Sequence, residues 1–177
     1  MCSSDLPTFD YTFTPALVPG DAFSGALGRV GGTAVGSYLQ TLGDLSAGSD
    51  YTVTFDPGTL TITRKTLTIT ADAKAKTYGA SDPVLTYASA GLVGADTISG
   101  SLSRVAGEDV GTYAITKGSL TAGANYTIAY AGAELAIGTK AITVTASAKS
   151  KTYGAADPTL TYTVSPALVA GDRSEEH

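Results

Sequence analysis

Hydrophobic and polar positions alternate along much of this chain. In TLTITA, Leu67, Ile69 and Ala71 fall on one face and Thr66, Thr68 and Thr70 on the other, the period of two that marks a half-buried strand. VLTYA, ISGSLSR, GTYAIT, NYTIAYA and ELAI follow, bridged by AGED, TAGAN and AGAE, whose Gly, Asp and Asn suit turns. No stretch carries a stripe at helical spacing. Roughly six or seven short strands in so short a stretch, with β-branched and aromatic enrichment, predict an all-β fold, a small antiparallel β-sandwich or a partly open barrel.

The pattern recurs. KTYGASDP from Lys76 to Pro83 returns as KTYGAADP from Lys151 to Pro158. The same shift carries Gly25, Leu27 and Arg29 to Gly100, Leu102 and Arg104, and Tyr51, Thr52 and Val53 to Tyr126, Thr127 and Ile128. Lys65 to Tyr87 matches Lys140 to Tyr162 at 16 of 23 positions. The chain therefore reads as tandem repeats: 7–64, 65–139 (whole) and 140–172, with the opening strands absent from the first and only those strands present in the last. TYASAGLVGAD is one residue shorter than TYTVSPALVAGD, so a loop is expected there. TLTITRKTLTIT joins two repeats through little more than Arg64 and Lys65; without a flexible linker, an elongated, semi-rigid array is expected.

The termini stand apart from this pattern. MCSSDL (1–6) and RSEEH (173–177) spell translations of the two strands of one sequencing adapter and are expected not to be native. With them go the only Cys, the only His and the only Met. A chain cut on both sides is expected to expose unpaired edges, its last repeat completing the first repeat of another molecule. The formal net charge of -5 comes with no basic stripe for nucleic acid, and no apolar run reaches membrane-spanning length.

Two motifs are candidates for a site. In EDVGTYAI, Asp109, Gly111 and Tyr113 have the spacing of a tyrosine corner, which favours an immunoglobulin-like sandwich. The first repeat keeps Gly36 and Tyr38 but has Ala34 in place of the acid. In KTYGASDP, Tyr78 with Asp82 offers a phenol and a carboxylate for a sugar or cation, and Lys74 and Lys76 offer charge for an anion. Structural roles are preferred. Tyr78 and Tyr153 then serve as core or rim aromatics, Gly79 and Gly154 supply an unusual backbone angle, and Asp82-Pro83 and Asp157-Pro158 form turns. Lys74 and Lys76 then guard an exposed edge.

Other chemistry finds little support. Asp21, Asp96 and Asp172 recur after an apolar LV segment as candidate Ca²⁺ ligands, but calcium takes six to eight oxygens and turn roles are preferred. Glu108 and Asp109 are adjacent rather than facing one reacting bond from separate positions. Asn125-Tyr126-Thr127 fits a glycosylation acceptor, yet Asp50 replaces the asparagine one repeat earlier. Nucleophilic triads and zinc sites lack their His and Cys, so no enzyme and no cofactor are expected.

LTITADAKAKTYGASDPVLTY, GSLSRVAGEDVGTYAI and NYTIAYAGAELAI together resemble the MBG repeat of the YGX type, over essentially all of residues 7–172. The resemblance implies tandem repeats of large exported bacterial proteins, including filamentous-haemagglutinin-like adhesins, at the cell surface or secreted. It implies a stalk or adhesion role: a non-catalytic spacer whose partners are neighbouring repeats, or alternatively a module binding surface glycan or host protein and stabilised by Ca²⁺. A cysteine-free interior fits export to an oxidising compartment.

Overall fold

The computed structural model describes residues 9–172 and contains, among them, only strands, turns and irregular segments. It forms two compact units, one through Thr66 together with Gly123–Thr127, the other of Leu67–Ala122 with the residues from Ile128 on. The adapter-like termini lie outside the described residues.

The first unit holds β1 (Gly28–Arg29), β2 (Gly36–Thr41) and β3 (Thr59–Ile62) in one antiparallel sheet ordered β1-β2-β3. Leu45, Ala47 and, from the 123–127 segment, Tyr126 are its buried apolar residues among those described. Gly123–Thr127 joins this unit through Asn125, whose Oδ1 accepts from the Val35 N–H at 3.0 Å and whose carbonyl accepts from the Lys65 N–H at 2.9 Å. Asn125 thus serves the backbone of a turn.

The second unit is built from β4 (Lys65–Ala71), β5 (Lys74–Thr77), β6 (Tyr87–Ala90), β7 (Ser103–Arg104), β8 (Gly111–Thr116), β9 (Tyr126–Ala131) and β10 (Ala133–Gly138). Residues 65–66 of β4 and 126–127 of β9 are counted with the first unit. Two sheets result, ordered β5-β10-β8-β7 and β6-β4-β9. In β4, Leu67 and Ile69 are wholly buried while the threonines between them are exposed, which is the alternation expected of TLTITA. Ala71 from this sheet packs with Ile115 of β8 and Leu135 of β10, and Leu85, Leu102 and Tyr130 close around them. A fully buried leucine or isoleucine side chain here contributes about 1.5–3 kcal/mol by leaving water. A short pair, β11 (Thr143–Ala146) and β12 (Tyr162–Ser165), completes the strands.

The repeat governs geometry as well as letters. Gly28↔Thr41 becomes Ser103↔Thr116, Gly36↔Ile62 becomes Gly111↔Ile137, and Thr68↔Ala90 becomes Thr143↔Ser165. The isolated bridge Ser24↔Ser46 likewise becomes Ser99↔Thr121. The one-residue difference between copies falls after β6, where the backbone leaves the sheet.

The fold is all-β, but its pairing departs from the expected antiparallel, immunoglobulin-like plan in two places. β5 runs parallel to β10, from Lys74↔Leu135 to Thr77↔Gly138. β4, the first strand of its repeat, lies between β6 and β9, whereas the first strand of an immunoglobulin sheet is an edge. A tyrosine corner pins one chain crossing and leaves strand order free.

Candidate functional site

The KTYG segment opens as the end of β5. The Ala80 N–H donates to the Thr77 carbonyl at 2.9 Å, closing a turn around Tyr78 and Gly79. Gly79 has φ +77°, the left-handed value that such a turn requires at its third position. Thr152 to Ala155 repeats the turn at 3.0 Å with Gly154 at φ +85°. The turns expected at Asp82-Pro83 and Asp157-Pro158 are corrected: the chain reverses earlier, where glycine allows the left-handed angle, and both Asp-Pro pairs follow in irregular backbone.

Lys76 and Asp82 meet two residues from a distant part of the sequence. The Lys76 ammonium contacts Asp82 Oδ1 at 2.6 Å and Glu108 Oε2 at 2.5 Å. Arg104 places Nε 2.6 Å from Asp82 Oδ2 and pairs through Nη2 with Glu108. Two cations and two anions thus alternate in a closed ring. The Lys76 side chain is only 4% exposed, that of Arg104 12%. The expectation of a solvent-facing Lys76 is therefore corrected: β5 turns this face towards β7 and the loop after it, and the ammonium is matched there.

Arg104 carries the ring into the tyrosine corner. Its guanidinium lies 5.7 Å from the centre of the Tyr113 ring, and Nη1 donates to the Val105 and Gly107 carbonyls at 3.0 and 2.6 Å. The Tyr113 hydroxyl donates to the Asp109 carbonyl at 2.9 Å. The corner uses the backbone at that position, so its acid is dispensable. Tyr38 accordingly donates to the Ala34 carbonyl at 2.8 Å, with Arg29 over its ring at 5.3 Å. Gly111, at φ +159°, opens β8. Arg104 and Gly107 escaped the motif reading; the signal for Arg104 was its recurrence one repeat after Arg29, and for Gly107 the matching Gly32.

Tyr78 turns away from this ring. Its hydroxyl donates to Asp172 Oδ1 at 2.8 Å, and Val169 packs on Gly79. In the first unit, Asp21 accepts from the Tyr51 hydroxyl at 2.6 Å, and that hydroxyl accepts from the Val18 N–H at 2.9 Å. Tyr153 by contrast is fully exposed. Asp21 and Asp172 are thus tyrosine partners, and no group of three or more His, Cys, Asp or Glu is placed to hold a metal among the described residues.

Hydrogen bonds from Arg104 and then Lys76 lower the Asp82 carboxyl from 3.8 to about 2. Glu108 is lowered by Lys76 and then Arg104, and the Lys76 ammonium is raised by Asp82 and then Glu108. A carboxyl depressed by folding stabilises the fold above its unfolded value and loses that contribution as pH falls through the folded one. An ammonium raised by folding stabilises below its ordinary 10.5 and loses the effect as pH rises beyond it. Melting temperature is therefore expected to fall as pH drops from 4 towards 2, and Asp82→Asn should flatten that slope in melts followed by circular dichroism.

The arrangement defines a class: an all-β tandem repeat in which a lysine, an arginine and two carboxylates lock the YG turn to a tyrosine corner. The model of the MBG domain (YGX type) matches residues 1–61, 67–136 and 142–176, and the chain belongs to that family. No curated protein and no solved structure matches it. The family is a repeat module associated with surface proteins and is not a known enzyme family. Among the described residues no helix is long and apolar enough to cross a membrane.

Proposed function

We propose that the chain is a run of non-catalytic stalk or spacer repeats of a bacterial adhesin, at the cell surface or secreted, with neighbouring repeats as its partners. One observation carries this reading: in the whole repeat, 65–139, the polar groups of the KTYG motif are consumed by contacts within the fold. Lys76 and Asp82 sit in the four-membered ion ring, and Tyr78 is taken by Asp172. A ligand would have to displace these contacts, at the cost of leaving charges unmatched.

The test is an array of glycans and extracellular-matrix proteins probed with the full chain, with and without Ca²⁺, beside Tyr78→Phe and Asp82→Asn. The expected result is no saturable binding by any of the three and a melting temperature lowered by a few degrees in Asp82→Asn. Binding that disappears in either variant while its melting temperature stays unchanged would overturn the proposal and make the motif a receptor site.

A further inference from the structure

The YG turn of the second repeat meets a loop of the third, and both lie in the second unit. The Tyr78 hydroxyl donates to Asp172 Oδ1 at 2.8 Å. At Gly79 an added Cβ would lie 2.5 Å from Val169 Cγ2, closer than real Cβ contacts come. The φ of +77° already calls for glycine in this turn. The approach of Val169 is a second and separate demand for it.

The loop that arrives is itself a recurring turn. The Asp172 N–H donates to the Val169 carbonyl at 3.0 Å, and the same bond joins Asp96 to Val93 and Asp21 to Val18, each at 3.0 Å. In the first copy the carboxylate serves its own repeat, Asp21 Oδ2 accepting from the Tyr51 hydroxyl. A carboxylate accepts at both oxygens. Asp172, engaged through Oδ1, can therefore hold a tyrosine of the preceding repeat without giving up that role.

The path of the chain brings the two turns together. The Tyr78 N–H donates at 2.8 Å to the carbonyl of Gly138, the last residue of β10. Two residues later the third repeat opens with Lys140, whose ammonium donates to the Ala167 carbonyl at 3.0 Å, in the loop that carries Val169. The crossing is thus tied to the YG turn on one side and to the incoming loop on the other.

We infer that the YG turn is the seat on which a repeat receives the next repeat of its own chain, with Tyr78 holding the Asp172 carboxylate and Gly79 admitting Val169. The inference rests on the reading of neighbouring repeats as partners and gives that partnership its contact surface. A hydrogen bond to a charged acceptor and an apolar contact supply the attraction.

Nuclear magnetic resonance of the full chain tests it. A nuclear Overhauser effect is expected between the Val169 methyls and the Gly79 Hα, and residues 166–172 should be as ordered as β10, with order parameters of about 0.85. Val169→Asp sets a charge against the seat and should drop these values below about 0.6, while β8 and β10 keep theirs. Tyr78→Phe and Asp172→Ala remove the same hydrogen bond, so each should loosen the loop and the double variant should loosen it no further than the stronger of the two. A missing Overhauser effect, a loop still ordered in Val169→Asp, or losses that add in the double variant would each overturn the inference. Disorder that spread into β8 and β10 would do so too. The spacer reading would still be decided by the glycan and matrix arrays.

Discussion

Leu135→Ala is expected to destabilise the second unit by about 3 kcal/mol, the usual cost of emptying a wholly buried leucine site. Leu135 is fully buried and packs with Ala71 and Ile115 across the two sheets. β10, which carries it, is paired on both sides, by β5 and β8, so the backbone around the lost side chain has little freedom to collapse. Leu60 is the counterpart one repeat earlier, at the same register on β3. It is only half-buried. Leu60→Ala should therefore cost about 1 kcal/mol. Chemical denaturation of both variants measures the difference directly. Equal costs would mean that the first unit has as complete a core as the second.

Gly107→Ala should cost about 3 kcal/mol, through the backbone angle and overpacking together. Gly107 has φ +148°, a value that side-chain-bearing residues avoid, and an added Cβ would overlap the Tyr113 ring. The Gly107 carbonyl also receives Arg104 Nη1. Relief of the overlap would move the ring, the guanidinium above it and with them the ion ring of Lys76, Asp82 and Glu108. Gly94→Ala is the control: φ is +56° and nothing lies within 4 Å of an added Cβ, so about 1 kcal/mol is expected. Denaturation curves for the pair separate the packing cost from the conformational one. A Gly107 variant no worse than the control would show that the ring is free to shift.

Much of this was legible from letters alone. Alternation in TLTITA assigned Leu67, Ile69 and Ala71 to a core face, and the structure buries all three. The recurrence of the KTYG segment marked the chain as tandem repeats, and the β4/β6 and β11/β12 registers agree residue by residue. Tyr113 was recognisable from its distance to Gly111. Such features depend on side-chain polarity and local backbone preference, which a sequence displays directly. The role of Lys76 was not legible. A lysine two residues from another on a strand is commonly solvent-facing, and the opposite outcome depended on Arg104 and Glu108, far away in the sequence.

What the sequence by itself determined is therefore the class of element, the repeat and its period, the unusual backbone angle at Gly79 and the family. Tertiary structure decided the partners. It set β5 parallel to β10, placed β4 between β6 and β9, gave Tyr78 to Asp172 and closed the ring of four charges. It also left Arg29 Nε without a partner among the described residues. The physical reason is range: alternation and turn chemistry act over a few residues, whereas the mate of a strand edge or a buried charge is settled only when segments distant along the chain meet.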